Sequence, residues 1–87
     1  MTNRLEGKKA LITGASRGIG SAIAKKFAEE GAKIGINYHS CDERAKEVLD
    51  PVNKYSEGIL LKGDVSDKND CKRIVSEFVD EFGGLDI

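Results

Sequence analysis

The sequence predicts an α/β fold, a doubly wound parallel sheet with helices on both faces. Three observations lead there. Short apolar runs alternate with longer stretches of helical apolar spacing, the connections between them are short, and a glycine-rich turn joins the first run to the first helical stretch. A βα unit with its turns takes about 30 residues, so a chain of 87 residues holds three of them and the opening of a fourth strand.

The elements follow in order. Lys9-Ala10-Leu11-Ile12-Thr13 is a buried strand that stops at Gly14. From Gly18 to Glu30 the apolar residues Ile19, Ala22, Ile23, Phe27 and Ala28 recur at helical spacing, with Lys25, Lys26, Glu29 and Glu30 on the other face and Gly31 as a natural helix end. Lys33–Tyr38 is the second strand. Asp42 to about Tyr55 places Ala45, Val48, Leu49 and Val52 on one helical face. Pro51 falls inside that helix, where an interior proline costs about 3 kcal/mol. The expected resolution is a kink or break: a helix ending near Leu49, then Asp50 as N-cap and Pro51 at the first position of a new turn. Ile59–Val65 reads as the third strand. Ser66 or Asp67 caps a third helix whose stripe is Cys71, Ile74, Val75, Phe78, Val79 and Phe82, with Cys71 expected in the core. Gly83-Gly84 ends it, and Leu85-Asp86-Ile87 opens a fourth strand. Sheets of this kind continue for several more strands, so residues 1–87 are expected to be an incomplete domain, the N-terminal part of a larger one.

Composition excludes several classes of function. Basic and acidic residues nearly cancel, 14 against 15, for a formal net charge of -1. That balance argues against binding nucleic acid or a membrane surface through bulk charge. No apolar run reaches the roughly 18 residues of a membrane-spanning helix, and the polar start Met1–Gly7 does not read as a signal peptide, so a cytoplasmic location is expected. Cys41 and Cys71 have no metal-ligand spacing, and His39 with Cys41 lacks a third ligand nearby, so no metal is expected. There are no repeats and no linker-like tracts.

Thr13-Gly14-Ala15-Ser16-Arg17-Gly18-Ile19-Gly20 carries the chemistry. Glycines suit a strand-to-helix reversal that needs unusual backbone angles, and they let a pyrophosphate approach the main chain. The helix N-terminus then offers unpaired N–H groups and partial positive charge. A GxxxxGK(S/T) loop is excluded because Ile19 stands where its second glycine belongs, and GxGxxG fails at Ile23. The remaining pattern, TGxxxGxG, resembles that of the short-chain dehydrogenase/reductase family. The resemblance recurs at Asp64-Val65 and at Leu85-Asp86-Ile87, in order and at the family spacing, and covers the whole chain. It implies a Rossmann-type sheet in which Gly14, Ser16, Arg17, Gly18, Ile19 and Gly20 contact the phosphates and adjoining ribose of a dinucleotide. Asp64 would accept a hydrogen bond from the adenine amino group, beside the Val65 main chain.

NAD-specific sites of this type place an acid on the adenosine ribose about 20 residues past the glycine loop. The window here, Asn37-Tyr38-His39-Ser40-Cys41, has no acid before Asp42. Arg17 stands in the glycine turn and suits a bidentate contact to a 2′-phosphate, with His39 and Ser40 adding hydrogen bonds. NADP(H) is therefore expected over NAD(H), although a lone loop histidine is most often simply solvated.

The family resemblance implies hydride transfer between the nicotinamide and a carbonyl or alcohol, with a tyrosine as acid/base, a lysine four residues after it and a separate serine. Asp42 follows Tyr38 at that spacing and Ile59 follows Tyr55, so no catalytic residue is assigned on this chain. The run Gly14–Gly20 with the Ile36-Asn37-Tyr38 strand end looks most like 3-oxoacyl-(acyl-carrier-protein) reductases of fatty acid synthesis, with glucose 1-dehydrogenases close behind. Relatives commonly form homotetramers. The alternative is a catalytically silent nucleotide-binding or interaction fragment. By itself the piece is expected to be inactive and to hold the adenosine and pyrophosphate half of the site, with the outer edge of the first strand unpaired and prone to aggregation.

Overall fold

A computed structural model describes residues 5–14, 18–40 and 42–87. Three parallel strands, β1 (Lys9–Ile12), β2 (Lys33–Tyr38) and β3 (Gly58–Lys62), alternate with helices α1 (Gly18–Glu29), α2 (Asp42–Tyr55) and α3 (Lys68–Phe82). The sheet order is β1-β2-β3. Ala10 pairs with Ile34 and Ile12 with Ile36 on one side of β2, and Ile36 pairs with Leu60 on the other. The predicted doubly wound α/β architecture is present.

Side chains alternate across a strand, so each strand supplies both layers. Ala10, Ile34 and Ile36 join Ala24, Ala28, Val48 and Val52 in the cluster under α1 and α2, with Ile12 and Leu60 packed against it. The intervening Leu11, Ile59 and Leu61 meet Ile74, Phe78 and Phe82 of α3. Gly35 sets the approach of α3 to the sheet: a Cβ there would lie 2.5 Å from Cδ2 of the Phe78 ring and 2.8 Å from Cε2.

Several expectations are corrected. The expected break in α2 is absent, one helix continuing through Pro51 from Asp42 to Tyr55. The proline forfeits the N–H that would reach the carbonyl of Glu47, but Val48 and Val52 are anchored in the same core cluster on either side of it. Burial of that face outweighs one missing bond. Strand β1 stops one residue short of Thr13. The third strand spans Gly58–Lys62 rather than reaching Val65: Gly63 N–H still donates to the Tyr38 carbonyl at 2.9 Å, and beyond Tyr38 strand β2 offers no further partner. In α1 the helix turns Ala24 and Ala28 inward, whereas Ile19 is 80% exposed and Ile23 is also outside. Small side chains admit a helix close to a sheet, and the isoleucine row falls off that contact. Cys71 is exposed, not a core residue. The stripe of α3 divides into Ile74, Phe78 and Phe82 facing the sheet, and Cys71, Val75 and Val79 lining an open hollow of about 460 Å³ on the helix's outer side.

Asp67, rather than Ser66, caps α3, accepting from the N–H groups of Asn69 and Asp70, and Gly83 closes the helix with its N–H on the Val79 carbonyl. Leu85–Ile87 is not a regular strand. Even so, Ile87 donates to the Lys9 carbonyl at 3.0 Å and accepts from Leu11 N–H at 2.8 Å, the pattern of a parallel rung around Ala10. The Asp86 carboxylate accepts Lys9 N–H at 3.0 Å. The outer edge of β1, expected to be unpaired, is therefore partly covered by the tail. No helix of the described residues is long and apolar enough to cross a membrane.

Because packing alone carries α2 across its proline, Pro51→Ala should stabilise the fold by about 1 to 3 kcal/mol, read as a higher denaturation midpoint with an unchanged slope. A lower midpoint would mean that the proline's rigidity is what the helix needs.

Candidate cofactor site

Parallel strands all point their C-terminal ends to one edge of the sheet, where open α/β folds hold their ligands. Here that edge gathers three connections: the glycine turn after β1, His39 and Ser40 after β2, and Gly63–Asp67 after β3.

Gly14, leaving β1, has φ +61°, and Gly18, opening α1, has φ +65°. Among the described residues, a Cβ at either position would meet nothing within 4 Å. The glycines are thus required by their left-handed backbone, and the main chain there stays open to a ligand. Helix α1 starts immediately beyond, and its first N–H groups have no helical partner. Its first turn contains no acidic residue, whereas α2 begins with Asp42 and Glu43 and α3 carries Asp70. Nothing acidic in that turn competes with a bound anion for the positive end of the helix dipole. Ile19 stands exposed at this terminus, Gly20 is half-buried in the first turn, and Ser21 donates its hydroxyl back to the Gly18 carbonyl at 2.9 Å. Ser16 and Arg17, two of the expected phosphate contacts, lie outside the described residues, as does Cys41.

Asp64 is half-buried in the connection after β3. Its Oδ1 accepts both the Ser66 hydroxyl, at 2.7 Å, and the Ser66 N–H, at 2.9 Å. These two bonds, the hydroxyl foremost, hold its carboxyl below the ordinary aspartate value; partial desolvation opposes them, and nearby His39 adds a smaller lowering effect. His39 is exposed, as is Val65. Asp64 N–H is held by the Asp70 carboxylate at 2.9 Å. Asn37, absent from the sequence-based candidates, is buried and donates to the carbonyls of Leu61 and Gly63. Its signal was a polar residue within an apolar strand.

This arrangement fits a dinucleotide: an open, anion-receptive main chain for phosphates beside a carboxylate for a base amino group. The family profile described as short chain dehydrogenase matches residues 8–87. The chain belongs to this family. It is 42% identical over 85 residues to versicolorin reductase from Emericella nidulans, covering 97% of this chain and 32% of that protein. It is also 42% identical over 87 residues to a glucose 1-dehydrogenase from Gluconobacter oxydans, covering 98% and 32%. Among solved structures, a short chain dehydrogenase from Burkholderia cenocepacia in complex with NADP superposes with a TM-score of 0.91 at 42% identity, covering 95% of this chain and 34% of that one. An NADH-dependent reductase complexed with NAD gives a TM-score of 0.88 at 36% identity, covering 99% and 36%. The chain spans about a third of the length of the curated relatives it matches.

Two outcomes follow from the site. Ser66→Ala should raise the Asp64 pKa toward the ordinary aspartate value, read by NMR titration of the carboxyl carbon. An unchanged titration would remove the hydroxyl as the cause. A depressed folded-state value means that Asp64's contribution to stability is present above the unfolded pKa and is lost as pH falls through the folded one. Gly14→Ala and Gly18→Ala should each cost about 1 to 2 kcal/mol through backbone strain alone, seen as a lower thermal midpoint. Neutral substitutions would show that the turn relaxes out of the left-handed region.

Proposed function

We propose that the chain is the N-terminal, cofactor-holding part of an NADP(H)-dependent oxidoreductase that reduces a carbonyl or oxidises an alcohol, within one larger domain. The observation that carries this is the pair of left-handed glycines opening onto an acid-free helix terminus, on the same sheet edge as the Asp64 connection. When bound, the nicotinamide would supply the hydride for carbonyl reduction or accept it in alcohol oxidation. Gly14, Ser16, Arg17, Gly18, Ile19 and Gly20 hold the phosphates and ribose, and Asp64 with the Val65 main chain receives the adenine. Tyr38 is only 8% exposed and Tyr55 has no lysine four residues later, so neither is assigned as acid/base. The family's catalytic serine, tyrosine and lysine are not assigned on this chain.

NADP(H) is favoured by the absence of an acid between Asn37 and Ser40 and by Arg17 in the glycine turn. For substrate, the glycine run and strand end favour a 3-oxoacyl thioester. The relative named glucose 1-dehydrogenase supports a sugar alcohol as the second class to assay.

Titrated with NADPH and NADH by fluorescence, the protein should bind NADPH more tightly. Arg17→Ala should weaken NADPH by about tenfold or more, the worth of a charge-assisted bidentate contact, and leave NADH nearly unchanged. Equal affinities in the unaltered protein would overturn the cofactor preference.

A further inference from the structure

Strand β2 reads Lys-Ile-Gly-Ile-Asn-Tyr, and its fifth residue, Asn37, is only 3% exposed. An apolar β-branched side chain would suit a covered strand better, and a buried amide is costly unless its hydrogens are used. Both are used. Nδ2 donates to the Leu61 carbonyl at 3.0 Å and to the Gly63 carbonyl at 3.2 Å. The same stretch of main chain is held twice more from α3: Arg73 donates to the Lys62 carbonyl at 2.7 Å, and the Asp70 Oδ2 accepts the Asp64 N–H at 2.9 Å. Residues 61–64 are thus fixed by side chains from β2 and α3. Both Ser66 bonds to Asp64 fall on Oδ1, so among the described residues Oδ2 is the oxygen that a donor brought by a ligand would meet.

We infer that Asn37 and Asp70 are positioning residues for purine recognition: they fix the main chain of 61–64 so that Asp64 presents Oδ2 to the 6-amino group of an adenine ring. This rests on the reading of the edge as a dinucleotide site and assigns its base selectivity to two residues that do not touch the nucleotide. Asn37 also ties the end of β2, which leads into His39 and Ser40, to the loop that carries Asp64. The ribose side and the base side of the pocket therefore move as one body.

The test is calorimetric titration of the full chain with adenosine 5′-monophosphate and inosine 5′-monophosphate. Inosine carries a 6-oxo group and cannot donate to the carboxylate. The unaltered chain should prefer the adenine nucleotide by about tenfold, the worth of one charge-assisted hydrogen bond. Asn37→Val and Asp70→Ala should each bring that ratio toward one. Asp70→Asn, whose amide oxygen still accepts the Asp64 N–H, should keep it. A merely structural role would weaken both nucleotides together and leave the ratio intact, so full adenine preference in Asn37→Val overturns the inference. Should Asn37→Val fail to fold, the contrast between Asp70→Ala and Asp70→Asn decides. If the unaltered chain binds both nucleotides equally, Asp64 does not read the amino group and the inference falls alone. If it binds neither, the dinucleotide reading falls with it.

Discussion

The main-chain hydrogen bonds of β2 run to β1 on one side and β3 on the other, and apolar layers cover both faces of the strand. Inside such a layer water cannot replace a lost bond, so the parallel pairing is costly to disrupt. Every other element takes its place from that burial. Helices α1 and α2 share the face formed by Ile34 and Ile36, and α3 takes the opposite face, where Gly35 lets the Phe78 ring reach the sheet. Surface charge contributes little by comparison. The Lys62–Asp42 and Arg73–Glu77 pairs, both at 3.2 Å, are exposed, and such pairs are worth about 0 to 1 kcal/mol each.

The same pairing builds the site. Strands that run parallel deliver their following loops to one edge, so residues far apart in sequence, Gly14, His39 and Asp64, become neighbours along it without any dedicated contact between them. The two ends of that edge differ in chemistry. At β1 the chemistry on offer is that of a helix N-terminus, whose N–H groups and dipole favour negative charge. At β3 stands the Asp64 carboxylate, whose ionised form is favoured by its bonds from Ser66 and whose chemistry suits a hydrogen-bond donor. A dinucleotide carries both features at its adenosine diphosphate end.

Helix α3 has two apolar rows where the sheet needs one. Ile74, Phe78 and Phe82 fill the core, while Cys71, Val75 and Val79 form an open hollow on the other side. Ile87, paired to the edge of β1, and Leu85 before it also leave much of their side chains outside. The helix further shapes the site through Asp70 and Arg73, which reach back to the connection it follows.

Most of the architecture was legible in the residues because it depends on local pattern. The order of strands and helices, the bounds of β2 and the cap alternatives for α3 follow from apolar period and turn chemistry, which each short segment carries by itself. The unusual backbone of the glycine turn was legible for the same reason, Gly14 and Gly18 both adopting positive φ, whereas Asp64 was marked only through the family resemblance. What tertiary structure decided was which of two adjacent apolar rows faces inward, as with Ile19 against Ala24 and Cys71 against Ile74. Helical spacing defines an arc, whereas only the shape of the partner surface selects the row within it. It also decided that α2 continues through Pro51, where a local penalty yields to non-local packing. The partners of Asn37 and Asp70 were beyond the sequence, since they are main-chain atoms that come within 3.2 Å only once β2, β3 and α3 have assembled.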